Sequence, residues 1–291
     1  MHHPRVIGLI DIGGTKLAAA RAAAPIDATA APRLTNMRRS ATPSDQPLAA
    51  LTQLLDQVLD GQRPECISAS VPGPFDRRGA ALIDPPGMPE AWHRLRIGDE
   101  LQRRYGCTVV MENDANCAAL AEARWGAGAG ARTVVYFTVS TGIGTGIVCD
   151  GVLWTGRHDT EGGHQVLWPD WLGGPKCHCG GAGCLEALAS GLAIERRFGR
   201  KGQDLDDPDA WREVGRWLGL GASNAIALLD PDVVVFGGGV CASWERFEPG
   251  LRETVAAHVR LQELPRITSG ALGEERNLLG ALALAASSTG D

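Results

Sequence analysis

Between Glu161 and Glu186 the chain reads EGGHQVLWPDWLGGPKCHCGGAGCLE. Two histidines, three cysteines and two glutamates are crowded into a stretch rich in glycine and proline. His164, Cys177, Cys179 and Cys184 are the ligand types of a closed structural zinc site, one imidazole and three thiolates in a tetrahedron. Their spacing, H-x12-C-x-C-x4-C, is not the C-x2-C pair of zinc fingers. The glycines support it: Gly173, Gly174, Gly180, Gly181 and Gly183 let the backbone turn tightly enough to aim four side chains at one point. The competing reading is a surface loop of reduced thiols. Such a loop has little apolar surface to bury, and without a metal it would struggle to offset its ordering entropy. His178, between two of the cysteines, is expected to point outward and is not counted as a ligand. Four protein ligands leave no open position, so the expected role of the zinc is structural.

The rest of the chain must fold around this loop, and it is punctuated by glycine turns. Val6 to Asp11 is a short apolar run, followed by Gly13-Gly14-Thr15 and then Lys16 to Ala20: a strand, a tight turn and a returning strand. The glycines expose backbone N–H groups able to hold an anion. Asp11, at the strand end, could approach a phosphate only through a cation such as Mg²⁺ or through a water. A plain hairpin is the other reading, and no P-loop sequence occurs. Thr133 to Val139 leads into Ser140-Thr141-Gly142-Ile143-Gly144-Thr145-Gly146, with the returning strand expected from Ile147. Two such hairpins suggest two related halves facing one cleft. Between them, Thr108 to Met111 reads as a strand and Cys117 to Trp125 as a helix, which sets Asn113 and Asp114 at a strand-to-helix junction. A helix start carries positive partial charge, although Asp114 could simply be its cap. Val233 to Phe236 is a buried strand running into Gly237-Gly238-Gly239. There a flat ligand could approach the backbone closely, or the chain could merely turn into a helix.

Further helices are expected over Ser44–Leu59 with Ser44 as N-cap, Cys184–Phe198 with Leu185, Leu188, Leu192 and Ile194 in the core, Pro208–Leu229 with Leu228 in its apolar stripe, Ser243–His258 and Asn277–Ala286. Residues 24–45 read as loop or edge strand. Pro72-Gly73-Pro74 and Asp84-Pro85-Pro86-Gly87 must turn.

Composition narrows the function classes. The net charge is −6 over 291 residues and no Lys/Arg block stands out, so nucleic-acid binding has no electrostatic support. No apolar run reaches membrane-spanning length, and no secretory cleavage pattern opens the chain. Of eight cysteines, three belong to the metal loop. The odd remainder argues against a disulfide framework and for a reducing cytoplasm.

The run E-x-x-H…C-x-C-G-x-x-G-C-L-E resembles the signature of the ROK family of bacterial sugar kinases and related repressors. The D-x-G-G-T turn, the P-G-P-F-D segment, E-N-D-A-N at 112–116 and D-P-x-x-V-V-x-G-G-G resemble other family segments, so the likeness extends over nearly the whole chain. It implies an α/β protein of the actin-like ATPase (ribonuclease H-like) fold, with two α/β lobes around a central cleft and a zinc-binding loop. The expected division is a small lobe over 1–115, with a C-terminal helix at about 275–291 packing back on it, and a large lobe over 116–274 holding the zinc loop 161–186. The resemblance implies Asp114 as general base. It implies Gly73, Asn113, Asp114, Glu161, His164 and Glu186 at a sugar, and Asp11, Gly13, Gly14, Thr15, Lys16, Thr141, Gly142, Gly237, Gly238 and Gly239 at ATP and Mg²⁺. The implied reaction is ATP-dependent phosphorylation of a hexose, with glucose first, N-acetylmannosamine or N-acetylglucosamine next and fructose third. A homodimer or homotetramer is also implied. The family's repressors carry a winged-helix module ahead of the first hairpin. Asp11 lies so near the start that none is expected, leaving a sugar sensor without kinase activity as the reading from another class.

Overall fold

The computed structural model describes residues 5–24, 26, 30–78 and 80–289; part of the loop-or-edge-strand expectation for 24–45 lies outside them. The chain divides into two compact units, Met1–Trp125 with Glu274–Asp291, and Gly126–Gly273.

The first unit opens with β1 (Arg5–Ile12), which folds back antiparallel onto β2 (Lys16–Ala24), itself paired with β3 (Thr35–Ala41). Next come α1 (Pro47–Leu59) and β4 (Cys66–Val71), then a short hairpin of β5 (Phe75–Asp76) and β6 (Ala81–Leu82). After α2 (Ile97–Tyr105), β7 (Thr108–Asn113) runs straight into α3 (Asp114–Trp125). The sheet order is β3-β2-β1-β4-β7, with β1, β4 and β7 parallel.

The second unit repeats this plan. Strand β8 (Thr133–Val139) turns back antiparallel into β9 (Ile143–Cys149) and on to β10 (Val152–Trp154). Helices α4 (Leu185–Ala189), α5 (Gly191–Phe198) and α6 (Pro208–Leu229) lead to β11 (Val233–Gly237). Then α7 (Trp244–His258) leads to β12 (Arg266–Ser269). The order β10-β9-β8-β11-β12, with β8, β11 and β12 parallel, matches the first sheet strand for strand. Finally α8 (Arg276–Thr289) packs against α3, β1 and β4 of the first unit. The division falls after Trp125, so α3 stays with the first unit, where the sequence alone suggested 115.

The central strands β4 and β11 are buried at every residue, as helices on both sides of a largely parallel sheet require; β11 is apolar along its length, whereas β4 turns Ser68 and Ser70 to one face. Ile10, Leu55, Ile67 and Trp92 centre one core of the first unit, and Phe137, Trp211, Phe236 and Phe247 that of the second. Trp92 is fully buried and donates its indole N–H to the Pro43 carbonyl at 2.8 Å.

Four local expectations are corrected. Helix α1 begins at Pro47 with Gln46, in the left-handed region, as its cap, so Ser44 does not cap it; a proline at the first helical position fixes φ and needs no N–H partner, which sets the start. The returning strand of the second hairpin starts at Ile143, leaving a turn of only Ser140-Thr141-Gly142. The helix read over Cys184–Phe198 breaks at Ser190, whose hydroxyl caps α5 by accepting from the Ala193 N–H at 3.1 Å. The break turns Leu192 outward, 58% exposed, and Leu228, in the last turn of α6, is 83% exposed.

Candidate functional site

In both sheets the chemistry-bearing residues gather at the carboxyl ends of the parallel strands, where open α/β sheets bind ligands. In the first unit the register sets Asp11 beside Ser70, Ser70 beside Glu112, and Val71 beside Asn113. Asp11 Oδ1 accepts from Ser70 Oγ at 3.0 Å and from Asn277 Nδ2 of α8 at 3.1 Å. Burial pushes the Asp11 carboxyl up, and these two hydrogen bonds partly oppose it. Asp114 opens α3. Its carboxyl is raised to about 6, first by burial and then by the Asp11 charge, with Arg276 pulling the other way.

Asp114 is not needed to cap its own helix. Asn113 Oδ1 accepts from the N–H groups of Ala115 and Asn116, at 2.9 and 3.4 Å, the bonds of an N-cap. Asp114 Oδ1 makes a 2.8 Å contact with the Ala115 N–H. Gly73 lies against the same junction: a Cβ there would sit 2.9 Å from Asn113 Nδ2. The turn at Gly13, Gly14, Thr15 and Lys16 is closed by Gly13 N–H to the Lys16 carbonyl at 3.0 Å. It is braced by Thr42, whose hydroxyl donates to the Gly13 carbonyl at 2.6 Å and whose N–H donates to the Thr15 carbonyl at 3.1 Å. A Cβ on Gly14 would meet the Gly87 carbonyl at 2.8 Å, so the Asp84–Gly87 turn abuts this hairpin.

In the second unit Glu186 joins the glycine hairpin to the cysteine loop. Its Oε2 accepts from the Ile143 N–H at 2.9 Å, and its Oε1 lies 2.8 Å from His178 Nδ1 and 4.0 Å from His164 Nδ1. Gly142 must lack a side chain, because a Cβ would fall 2.4 Å from Glu186 Oε2. The carbonyls of Ser140 and Thr141 accept from Gly191 and Leu192 at the start of α5, at 2.7 and 3.3 Å. Glu161 is exposed and faces His164 Nε2 at 3.9 Å. His178, expected to point outward, is half exposed but is tied inward to Glu186. Among the three glycines after β11, Gly237 and Gly238 are explained by their own fold. Side chains there would strike the Tyr136 hydroxyl at 2.1 Å and the Val139 carbonyl at 2.3 Å, whereas Gly239 has only Ser140 Oγ within reach, at 3.9 Å.

The donor set of the loop fits a zinc ion. One ligand atom each from His164, Cys177, Cys179 and Cys184 lie within 4.8 Å of one another. Cys179 and Cys184 Sγ are 3.7 Å apart, and Cys177 Sγ is 3.7 Å from His164 Nδ1. A tetrahedron with Zn–S bonds of about 2.3 Å has S···S edges of about 3.8 Å. Burial pushes the Cys184 thiol up to about 12 and raises Cys177, while the Gly181 N–H lowers Cys179. The imidazole presents Nδ1 to the thiols and turns Nε2 toward Glu161.

The structure adds partners that the sequence did not single out: Ser70 and Asn277 on Asp11, Arg77 on Glu112, and His178 on Glu186. Of these, Glu112 stands inside the E-N-D-A-N segment itself. Asn277 lies 266 residues from Asp11, and no local pattern links them.

These sites agree with what the chain is similar to. The family model described as "ROK family" matches residues 7–288. A glucokinase of Thermotoga maritima is 32% identical over 80% of this chain and 83% of its own length. Two crystal structures superpose over nearly the whole chain. A ROK hexokinase from Thermus thermophilus is 34% identical with a TM-score of 0.83, covering 98% of this chain and 100% of its own. A ROK family glucokinase from Streptomyces griseus, in complex with glucose and AMPPNP, is 28% identical with a TM-score of 0.79, covering 97% and 99%. With the repeated hairpin-and-crossover sheets of the actin-like ATPase fold, the cysteine loop and the Asn113–Asp114 junction in one chain, this protein belongs to the ROK family.

Proposed function

We propose that this protein is an ATP-dependent sugar kinase that transfers the γ-phosphoryl group of ATP to the 6-hydroxyl of a hexose, glucose before all others. The observation that carries the reading is Asp114: a carboxyl poised near 6 beside Asp11, at a helix start whose N–H groups Asn113 already caps. The glucokinase of Thermotoga maritima and the Streptomyces griseus complex with glucose and AMPPNP support the choice of sugar and donor.

In this reaction Asp114 accepts the proton of the attacking hydroxyl as the new O–P bond forms and the bond to the β-phosphate oxygen breaks. The proton then passes to solvent. Phosphoryl transfer asks the protein mainly for positioning and charge stabilisation, and a carboxylate raised toward neutrality is a better base than an ordinary one. Asn113, Gly73, Glu161, His164 and Glu186 serve the sugar. Each sugar hydroxyl both donates and accepts, so buried recognition needs amide and charged groups. Asp11 and the turn from Gly13 to Lys16, with Thr141, Gly142 and the open face at Gly239, serve the nucleotide. Asp11 holds Mg²⁺, which supplies charge neutralisation at the phosphates. Gly237 and Gly238 act by letting the β11 end pack closely. His164, Cys177, Cys179 and Cys184 hold Zn²⁺, which supplies rigidity to the loop carrying Glu161 and Glu186. A homodimer or homotetramer completes the reading, and light scattering tests it. Among the described residues no helix is long and apolar enough to cross a membrane.

The test is a coupled ADP-release assay with ATP and Mg²⁺ against glucose, mannose, fructose, N-acetylglucosamine and N-acetylmannosamine. Turnover on glucose well above the others is expected. Turnover on an acetamido sugar instead replaces the substrate, and turnover on none, with zinc measured in the sample, overturns the kinase reading in favour of a sugar sensor.

A further inference from the structure

Glu112 is the next-to-last residue of β7, one before Asn113, and is 5% exposed. A carboxylate withdrawn from water persists as a charge only when donors and a positive group meet it. Four donors do so here. Its Oε1 accepts from the Asn113 N–H at 2.7 Å, from Asn116 Nδ2 at 3.0 Å and from Arg77 Nη2 at 2.5 Å, and its Oε2 accepts from Arg77 Nε at 3.1 Å. The guanidinium therefore grips the carboxylate as a two-pronged fork. Its other side lies over the Phe75 ring, 5.1 Å from the centroid, and Phe75 belongs to the core of the first unit. Arg77 is pinned between an aromatic face and a buried carboxylate.

Arg77 follows β5, and that segment begins at Gly73, the residue packed against the Asn113 side-chain amide. So the 73–77 segment is fastened to the strand-to-helix junction at two points. Asn113 is itself held at both ends: its N–H is committed to Glu112 and its Oδ1 to the start of α3. What remains of its side chain is the Nδ2 group, turned toward Gly73.

We infer that Arg77 and Glu112 are the positioning residues of the acceptor-sugar site. They fix the distance between the Gly73 segment and the Asn113–Asp114 pair without touching the substrate themselves. This rests on the proposed sugar-kinase function, since it is the sugar that Gly73, Asn113 and Asp114 would share. The fork matters as much as its charge. A lysine keeps the charge but holds a carboxylate at one point and cannot stack on Phe75 as a flat guanidinium does.

The experiment compares wild type with Arg77→Lys, Arg77→Met and the double variant Arg77→Met/Glu112→Gln. It measures KM for glucose and for ATP, Tm, and amide hydrogen exchange over residues 111–117. Arg77→Lys should melt close to wild type, raise the glucose KM about tenfold while the ATP KM stays within about twofold, and speed exchange over 111–117. Arg77→Met should also lose Tm, because Glu112 is left buried without its counter-charge. The double variant should recover that Tm but keep the raised glucose KM. If the glucose KM returns to wild type together with Tm in the double variant, the pair serves stability alone and the inference is overturned. It is equally overturned if Arg77→Lys changes neither the glucose KM nor the exchange. The exchange comparison needs no turnover. A wild type inactive on every sugar would sink the kinase reading, and unchanged exchange in Arg77→Lys would still sink the positioning role.

Discussion

Replacing Asp114 by Asn should make the protein more stable and nearly inactive at once, and the gain in stability should depend on pH in a defined way. The Asp114 carboxyl is raised from 3.8 to about 6, by burial first and by Asp11 second. Its folded-state pKa thus lies above its unfolded one, so the native state holds a proton that the unfolded chain has already released. The ionised group costs stability; that cost is absent below about pH 4, grows as pH rises, and is complete above about pH 6 to 7. At about 1.4 kcal/mol per pKa unit the full cost is on the order of 3 kcal/mol, and about half of it is present at pH 5. The Asp114 side chain is half-buried rather than sealed from solvent, so water screens part of the charge. An acidic side chain at a helix start is also favoured by about 0.3–1 kcal/mol, which Asn forfeits. The net gain for Asp114→Asn is then about 2 kcal/mol at pH 8, or about 5 °C in Tm for a protein of this size. Thermal melts of both ligand-free proteins at pH 5 and pH 8 measure it, while kcat on glucose falls by about two to four orders of magnitude. A variant that melts at or below wild type at pH 8, or one whose gain is the same at both pH values, would refute the assignment of a buried, strained charge to this position.

The same carboxyl predicts the pH–rate profile: kcat/KM for the sugar should climb through about pH 6 and level off above it, and a flat profile between pH 5 and pH 8 would rule out a base with that pKa. Cys179→Ser should lose the zinc found by elemental analysis and weaken sugar binding several-fold; full zinc stoichiometry with normal sugar affinity would break the proposed link between loop and sugar. Gly142→Ala pushes a methyl against Glu186 Oε2 and should disrupt the Ile143–Glu186 hydrogen bond, costing about 1–3 kcal/mol. Denaturant unfolding reads that loss, and an unchanged midpoint would show that the hairpin and the loop are not coupled through Glu186.

What the sequence determined by itself was whatever depends on neighbours along the chain. Both glycine hairpins were legible because a strand, a turn and a returning strand are written in consecutive residues, and the strand-to-helix junction at Asn113–Asp114 follows from the change in apolar period there. The four candidate ligands of the cysteine loop lie within one short stretch, and their residue types alone suggest zinc. Errors arose where a local pattern was outweighed by a single residue: Ser190 caps a new helix inside what looked like one helical run, and Pro47 starts α1 in place of Ser44.

Tertiary structure decided the rest. Asp11 owes its hydrogen bonds to Ser70 on a parallel neighbour and to Asn277 on the last helix. The raised carboxyl of Asp114 comes from burial and from Asp11, two strands away in the sheet order. Gly237 and Gly238 read as room for a ligand, and the fold itself also requires them bare, since a Cβ at either would meet Tyr136 or Val139. The Arg77 fork on Glu112 spans 35 residues. The physical reason is common to all of these. Parallel strands are joined by long crossovers, so the residues meeting at their carboxyl ends are distant in sequence. Desolvation, mutual charge and close packing exist only once those ends have been brought together.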